Sequence, residues 1–231
     1  MNQNVFLLNT ANVSEIKSII QPSYNRLCRG QSDEDWPLNC SFFRNDADKY
    51  ITCQDLFGMT WNDSDENPLK TTFPSVLDNG AIKAFPHLGF LVQLQQNYNR
   101  STPLLDVSYD IFMPLFCACG EGKEYMDKNG KLFVIEYCEY VSICGKLDNP
   151  EMHVLINENM PTYNNRMRVQ SGAMITTSVF LDGKMHFCDI SKAKNTHISE
   201  FIIPKEMKPL ILENLQRELK TTDLKEFFYG K

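Results

Sequence analysis

Arg29 sits where an apolar run meets a glycine and a polar pair, in Arg26-Leu27-Cys28-Arg29-Gly30-Gln31-Ser32. A glycine lets a ligand or another backbone come close, because no Cβ stands in the way. An arginine beside it can present a rigid five-donor fork to a pyrophosphate or a carboxylate. The plain alternative is a surface ion-pair partner at a strand end. Trp36, Leu38 and Phe43, which follow, are core or core-edge residues by type.

Other chemistries find less support. The chain has no Gly-x-Ser-x-Gly elbow, no phosphate loop ending in Gly-Lys-Ser/Thr, and no His-Glu-x-x-His. A cysteine–histidine hydrolase would need an accessible thiolate in an electropositive setting, and Cys28 beside Arg29 is the one candidate. The eight cysteines (28, 40, 53, 117, 119, 138, 144 and 188) lie mostly in apolar segments without a Cys-x-x-Cys. Buried free thiols are the expectation, and no metal is expected. His87 and His186 have no partner that the sequence names.

At 231 residues and 42% hydrophobic, the chain can bury one sizeable core as a single domain over 1–231. A helical lead-in over 1–22, a core over 23–203 and closing helices over 204–231 are expected. A net charge of −6 argues against gripping nucleic acid through bulk charge, although Arg26, Arg29, Arg44, Arg100, Arg166 and Arg168 could converge on one rim. No apolar run reaches the ~20 residues of a membrane span, and no basic region precedes the short apolar stretch at the N-terminus. Cytoplasmic residence follows as an expectation.

The elements that must position these residues can be read from periodicity. Val13, Ile16, Ile19 and Ile20 share a helical face behind Asn12 or Ser14 as N-cap. The Gln21-Pro22-Ser23 break ends that helix, and a strand over 27–30 follows. A helix is expected over 47–59 and another over 90–98, with the acidic stretch 61–68 a solvated loop rather than a calcium loop. A short strand over 102–107 leads to a helix over 111–119 that Asp110 can cap, its start pushed toward Pro114. A strand buried on both faces (132–137), a hairpin about Asp182-Gly183 and a strand over 198–203 complete a sheet. Met207, Ile211, Leu215 and Leu219 mark a closing helix, and Thr222 can cap a last turn carrying Phe227 and Phe228. The chain reads as α+β.

Four ordered segments give the chain a family likeness. Arg29-Gly30-Gln31-Ser32 with Trp36-x-Leu38 and Ser41-x-x-Arg44 resembles the opening signature of the FRG domain family. Gln96-Asn97-Tyr98-Asn99-Arg100-Ser101-Thr102-Pro103-Leu104-Leu105-Asp106, then Pro114-Leu115-Phe116-Cys117-Ala118-Cys119, is similar to its middle segment and following helix. Arg168-Val-Gln170-Ser-Gly172 resembles a late strand, and 202–228 resembles the closing strand, helix and aromatic turn. Cys28 stands where an aromatic is usual, Asn97 and Asn99 replace His and Gly, Pro103 replaces Arg, and Val107 replaces Trp.

The family's order of parts resembles the ADP-ribosyltransferase plan. The resemblance implies an α+β fold with an ADP-ribosyltransferase-like split, a mainly antiparallel β core and flanking helices. It further implies NAD as substrate, Arg29, Gly30, Gln31, Tyr98 and Thr102 about the cofactor, and Asp106 and Gln170 as catalytic groups. Cleaving the nicotinamide–ribose bond builds positive charge on the ribose, which a carboxylate or oriented dipole stabilises. Gln170 can hydrogen-bond a ribose hydroxyl but cannot take a proton near neutral pH, so a base must come from elsewhere or the acceptor must be nucleophilic without one. Asp106 is the best placed by sequence, with a turn or capping role as its alternative; Glu136 and Glu139 follow. Tyr98 stacks on a base or packs in the core. What the resemblance implies biologically is a toxin or antiviral effector that modifies RNA, DNA or protein, with a neutralising antitoxin or chaperone as partner. A catalytically degenerate module that binds a nucleotide or a partner is the rival expectation.

Overall fold

The structure is a computed structural model that describes residues 4–23, 25–52, 55, 101–120, 125–137, 149–156, 171–182, 184–194 and 196–229. Helix α1 (Val13–Ile20) begins where the extended Asn12 accepts the Glu15 N–H on its side chain at 3.2 Å. It stops where Gln21 turns left-handed. Its buried face is Val13, Ile16 and Ile20, whereas Ile19 faces outward. Strand β2 (Arg26–Gln31) follows.

Helix α2 (Phe112–Cys119) begins two residues before Pro114, not at it as the sequence suggested. Proline lies in the first turn, where its missing N–H has no intrahelical partner to lose. Asp110 accepts the Ile111 N–H at 2.7 Å just ahead of that turn. Helix α3 (Lys208–Leu219) carries the expected apolar stripe. Helix α4 (Leu224–Tyr229) is held at its start by Asp223, which accepts from the Lys225 and Glu226 N–H groups, rather than by Thr222.

Among the described residues nine strands form one sheet. Besides β2 they are β1 (Asn4–Leu7), β3 (Ile51–Thr52), β4 (Leu105–Ser108), β5 (Gly130–Tyr137) and β6 (Glu151–Ile156). β7 (Gly172–Leu181), β8 (Lys184–Cys188) and β9 (Thr196–Ile203) complete it. The order is β1-β9-β5-β2-β4-β7-β8-β3, with β6 also on β7. All pairs are antiparallel except β1 with β9. The architecture is therefore α+β with a mainly antiparallel sheet.

Two expectations need correction. Residues 47–52 are not helical: Ile51 and Thr52 pair with Phe187 and His186 as β3. The N-terminal lead-in is strand as well as helix, because β1 joins the sheet edge. The elements expected over 61–68 and 90–98 lie outside the described residues, as does most of 53–59. The hairpin stands as read: Leu181 pairs with Lys184, and Asp182 has the positive φ that a two-residue turn requires.

Apolar layers cover both sides of the sheet. On one, Cys28, Leu132, Val134 and Ile203 meet Ile16, Leu115, Ala118 and Ile211 of the helices. On the other, Leu27, Phe133, Ile135, Leu105 and Val107 meet Phe43 and Ile190. Gly30 is what lets α2 lie on β2. A Cβ there would sit 1.7 Å from the Pro114 carbonyl oxygen and 2.8 Å from the Ala118 nitrogen.

Strand β7 holds a seam. β6 occupies one edge over 173–178, so β4 (at 172–175) and β8 (at 177–181) must share the other edge in tandem. One pair beyond either register, both Leu104 and Asp189 fall opposite Thr176. The Thr176 hydroxyl closes the junction by donating to the Pro103 carbonyl at 3.0 Å.

Candidate functional site

Strand alternation separates the residues of the Arg-Gly-Gln stretch. Cys28 belongs to the helix-side core and Gly30 backs directly onto α2, so Arg29 and Gln31 project to the opposite face with Leu27. Gly30 thus keeps the helix close, and the missing side chain is on the side away from the guanidinium. In register with Arg29 and Gln31 lie Phe133 and Lys131 of β5, and with Phe133 lies Glu200 of β9. Lys131 Nζ is 3.1 Å from the Glu200 carboxylate and 5.2 Å from the centre of the Phe133 ring.

Arg29 is half-buried. Its Nη1 donates to the Asp106 carbonyl at 2.5 Å, and its buried Nε–H has no acceptor among the described residues. Gln31 is 8% exposed; its amide N–H donates to the Pro37 carbonyl at 3.2 Å, and its Oε1 is buried without a donor. The wall carrying these two is braced from the C-terminal side. Fully buried Lys208 donates to the carbonyls of Ser32 and Tyr125, each at 2.8 Å, and burial holds its ammonium below the ordinary lysine range. Lys128 pairs with buried Asp33, a hydrogen bond that lowers the aspartate's pKa and raises the lysine's.

Asp106 contributes its carbonyl to this face. Leu105 and Val107 point to the core beneath Arg29, so alternation turns the Asp106 side chain the other way. Thr102 is fully buried and ties two segments together: its N–H donates to Ser41 Oγ at 3.0 Å, and its carbonyl accepts from the Phe42 N–H at 3.3 Å. Its Oγ1 accepts from the Leu104 N–H at 3.3 Å. Tyr98 and Gln170 lie outside the described residues, as do Arg100, Arg166, Arg168, Glu139 and His87. Arg26 is paired with Glu136 at 3.0 Å and Arg44 is exposed, so neither joins Arg29. His186 has a partner after all, the Lys184 carbonyl at 3.2 Å.

One buried carboxylate was not singled out from the sequence. Asp189 is fully buried at the seam; one oxygen accepts the Ser191 N–H at 3.0 Å and the other has no partner among the described residues. The Cys40 thiol, pushed up to about 12 mainly by burial, is raised further by Asp189 and lowered by Arg29, so both groups act on it through space. The signal was an acidic residue directly after the apolar pair Phe187-Cys188. Cys28 is no nucleophile: burial lifts its thiol to about 12 as well. Among the described residues Cys28, Cys40, Cys117, Cys119 and Cys188 are all free.

No helix among the described residues is long and apolar enough to cross a membrane. No curated protein and no solved structure matches the chain. Residues 25–127, a little under half of the chain, match the FRG domain. That span holds β2, β3, β4 and α2 and stops short of Gln170 and Asp189. Over that span the chain carries an FRG domain.

Proposed function

We propose that the chain binds NAD and transfers its ADP-ribosyl group to a macromolecular acceptor (RNA, DNA or protein), with Arg29 as the pyrophosphate anchor. The supporting observation is the guanidinium itself. It is half-buried on an inner strand, fixed by one N–H on the Asp106 carbonyl, and it keeps a buried Nε–H without an acceptor among the described residues. An unmade hydrogen bond of a buried charged donor is costly, and a phosphate oxygen would restore it. In the reaction, the ribose–nicotinamide bond breaks with its electron pair leaving on nicotinamide. The acceptor's heteroatom bonds the ribose carbon and gives up its proton to a carboxylate or to solvent. A growth-blocking or antiviral role, held in check by a neutralising partner, follows from the same reading.

The Asp106 carboxylate faces away from Arg29, which favours a second reading: a binding module that holds a nucleotide without turning it over. Labelled NAD incubated with purified protein and lysate separates the two. Transferase activity predicts label on an acceptor and free nicotinamide, whereas the module predicts calorimetric NAD binding alone. Arg29→Ala should weaken NAD binding about 10- to 100-fold, the worth of a charge-assisted contact. Unchanged affinity in that variant rejects Arg29 as the anchor.

A further inference from the structure

Three of the buried polar atoms that lack a partner among the described residues ask together for one kind of ligand. Arg29 Nε offers an N–H and needs an acceptor. Gln31 Oε1 and Asp189 Oδ2 are acceptors and need donors. Gln31 and Asp189 are both more than nine-tenths buried, so water does not freely serve them. Native interiors leave few such groups unpaired, and each one calls for an explanation.

Strand register sets them along one stretch of the sheet. Arg29 and Gln31 project from the same face of β2. The Arg29 guanidinium touches β4 at Asp106; Leu104, two residues or about 7 Å back and just ahead of that strand, and Asp189, just past β8, each lie one position beyond the last registered pair, where both registers extended converge on Thr176. Cys40 packs in the same cluster and feels both charges.

We propose that Arg29, Gln31 and Asp189 form a site for a phosphorylated ribosyl group, with Asp189 and Gln31 receiving the sugar hydroxyls and Arg29 the phosphate. The ligand must combine an anionic acceptor with neighbouring hydroxyl donors, which a bare phosphate or an apolar molecule does not. This rests on the nucleotide reading above for the identity of the anchor, and it adds the sugar partner that Asp106 does not supply. It requires no turnover: a binding module and a transferase would both need it.

The test is calorimetry on the full chain with ADP-ribose and with inorganic pyrophosphate. The wild type should bind ADP-ribose more tightly than pyrophosphate. Asp189→Asn keeps the oxygen that caps Ser191 but exchanges a charge-assisted hydrogen bond for a neutral one. It should weaken ADP-ribose about tenfold and leave pyrophosphate unchanged, whereas Arg29→Ala should weaken both. Gln31→Met provides the same comparison should Asp189→Asn fail to fold. Equal losses for both ligands, or no loss for either, in the variant that folds would overturn the proposal. ADP-ribose binding by a wild type that releases no nicotinamide from NAD would remove the transferase reading and leave this site standing. Failure of the wild type to bind either ligand removes both.

Discussion

Gly30→Ala isolates what the glycine of the Arg-Gly-Gln stretch does. Gly30 lies in a regular strand and its φ is not positive, so alanine meets no backbone strain there. By chain entropy alone the change would be neutral or stabilising. The structure predicts the reverse, because the new methyl group would sit 1.7 Å from the Pro114 oxygen, 2.7 Å from the Pro114 carbonyl carbon and 2.8 Å from the Ala118 nitrogen. All three are backbone atoms of α2, and no side chain can swing aside. Restoring an ordinary 3.4 Å contact requires α2 to retreat from β2 by about 1.7 Å. That motion opens the layer in which Leu115 and Ala118 meet Cys28 and Leu132. Overpacking of this kind costs about 1–3 kcal/mol, and occasionally more where, as here, the neighbour is rigid. With a urea slope of about 2–3 kcal/mol/M for a chain of this size, a loss of about 3 kcal/mol moves the midpoint down by about 1 M. Saturating NAD should not change the difference between the two proteins. A midpoint within error of wild type, with only ligand affinity reduced, would refute the packing role and return Gly30 to the binding site.

Lys208→Met removes the donor to the Ser32 and Tyr125 carbonyls and should lower the thermal midpoint by roughly 4–8 °C, for about 2 kcal/mol lost. The lysine's folded pKa is depressed, so the unfolded chain binds more protons between that value and 10.5; the wild type's advantage over Lys208→Met should therefore widen as pH rises through that window. A gap that narrows there would contradict the burial. Cys28, Cys40 and Cys119, with thiols pushed up to about 12, should resist alkylation at pH 8 in the folded chain and react once urea unfolds it. Residue-by-residue mass mapping reads this directly, and rapid native labelling of Cys28 would revive it as a nucleophile.

What could be read from the sequence was whatever local rules decide. The α1 face, the Asp182 hairpin, the buried β5 and the α3 stripe each follow from periodicity or turn chemistry within a dozen residues. Ile51 and Thr52 escaped because their strand state comes from Phe187 and His186, more than a hundred positions away. Pro114 was assigned to the helix start because proline resists the interior, yet the first turn tolerates it at more than one position. β1 has only four residues, exposed throughout, and nothing local distinguishes it from a loop until β9 pairs with it.

The choice of carboxylate illustrates the same limit at the site. Asp106 was favoured because it adjoins the strand that feeds α2, and adjacency in sequence does bring its backbone to Arg29. A strand turns successive side chains to opposite faces, however, so one position of register decides whether a carboxylate or a carbonyl meets the guanidinium. Here Leu105 and Val107 take the core face and Asp106 is left with the other. Asp189 comes toward the face through long-range pairing: β8 follows β4 along the same edge of β7, and Asp189 comes directly after its last paired residue, Cys188. No spacing within the chain announces that junction. If the site is ribosyl-binding, its sugar half is set by the β7 seam and its phosphate half by β2. Substitutions that shift the seam, such as Thr176→Val with loss of the bond to Pro103, should then weaken ADP-ribose while sparing pyrophosphate.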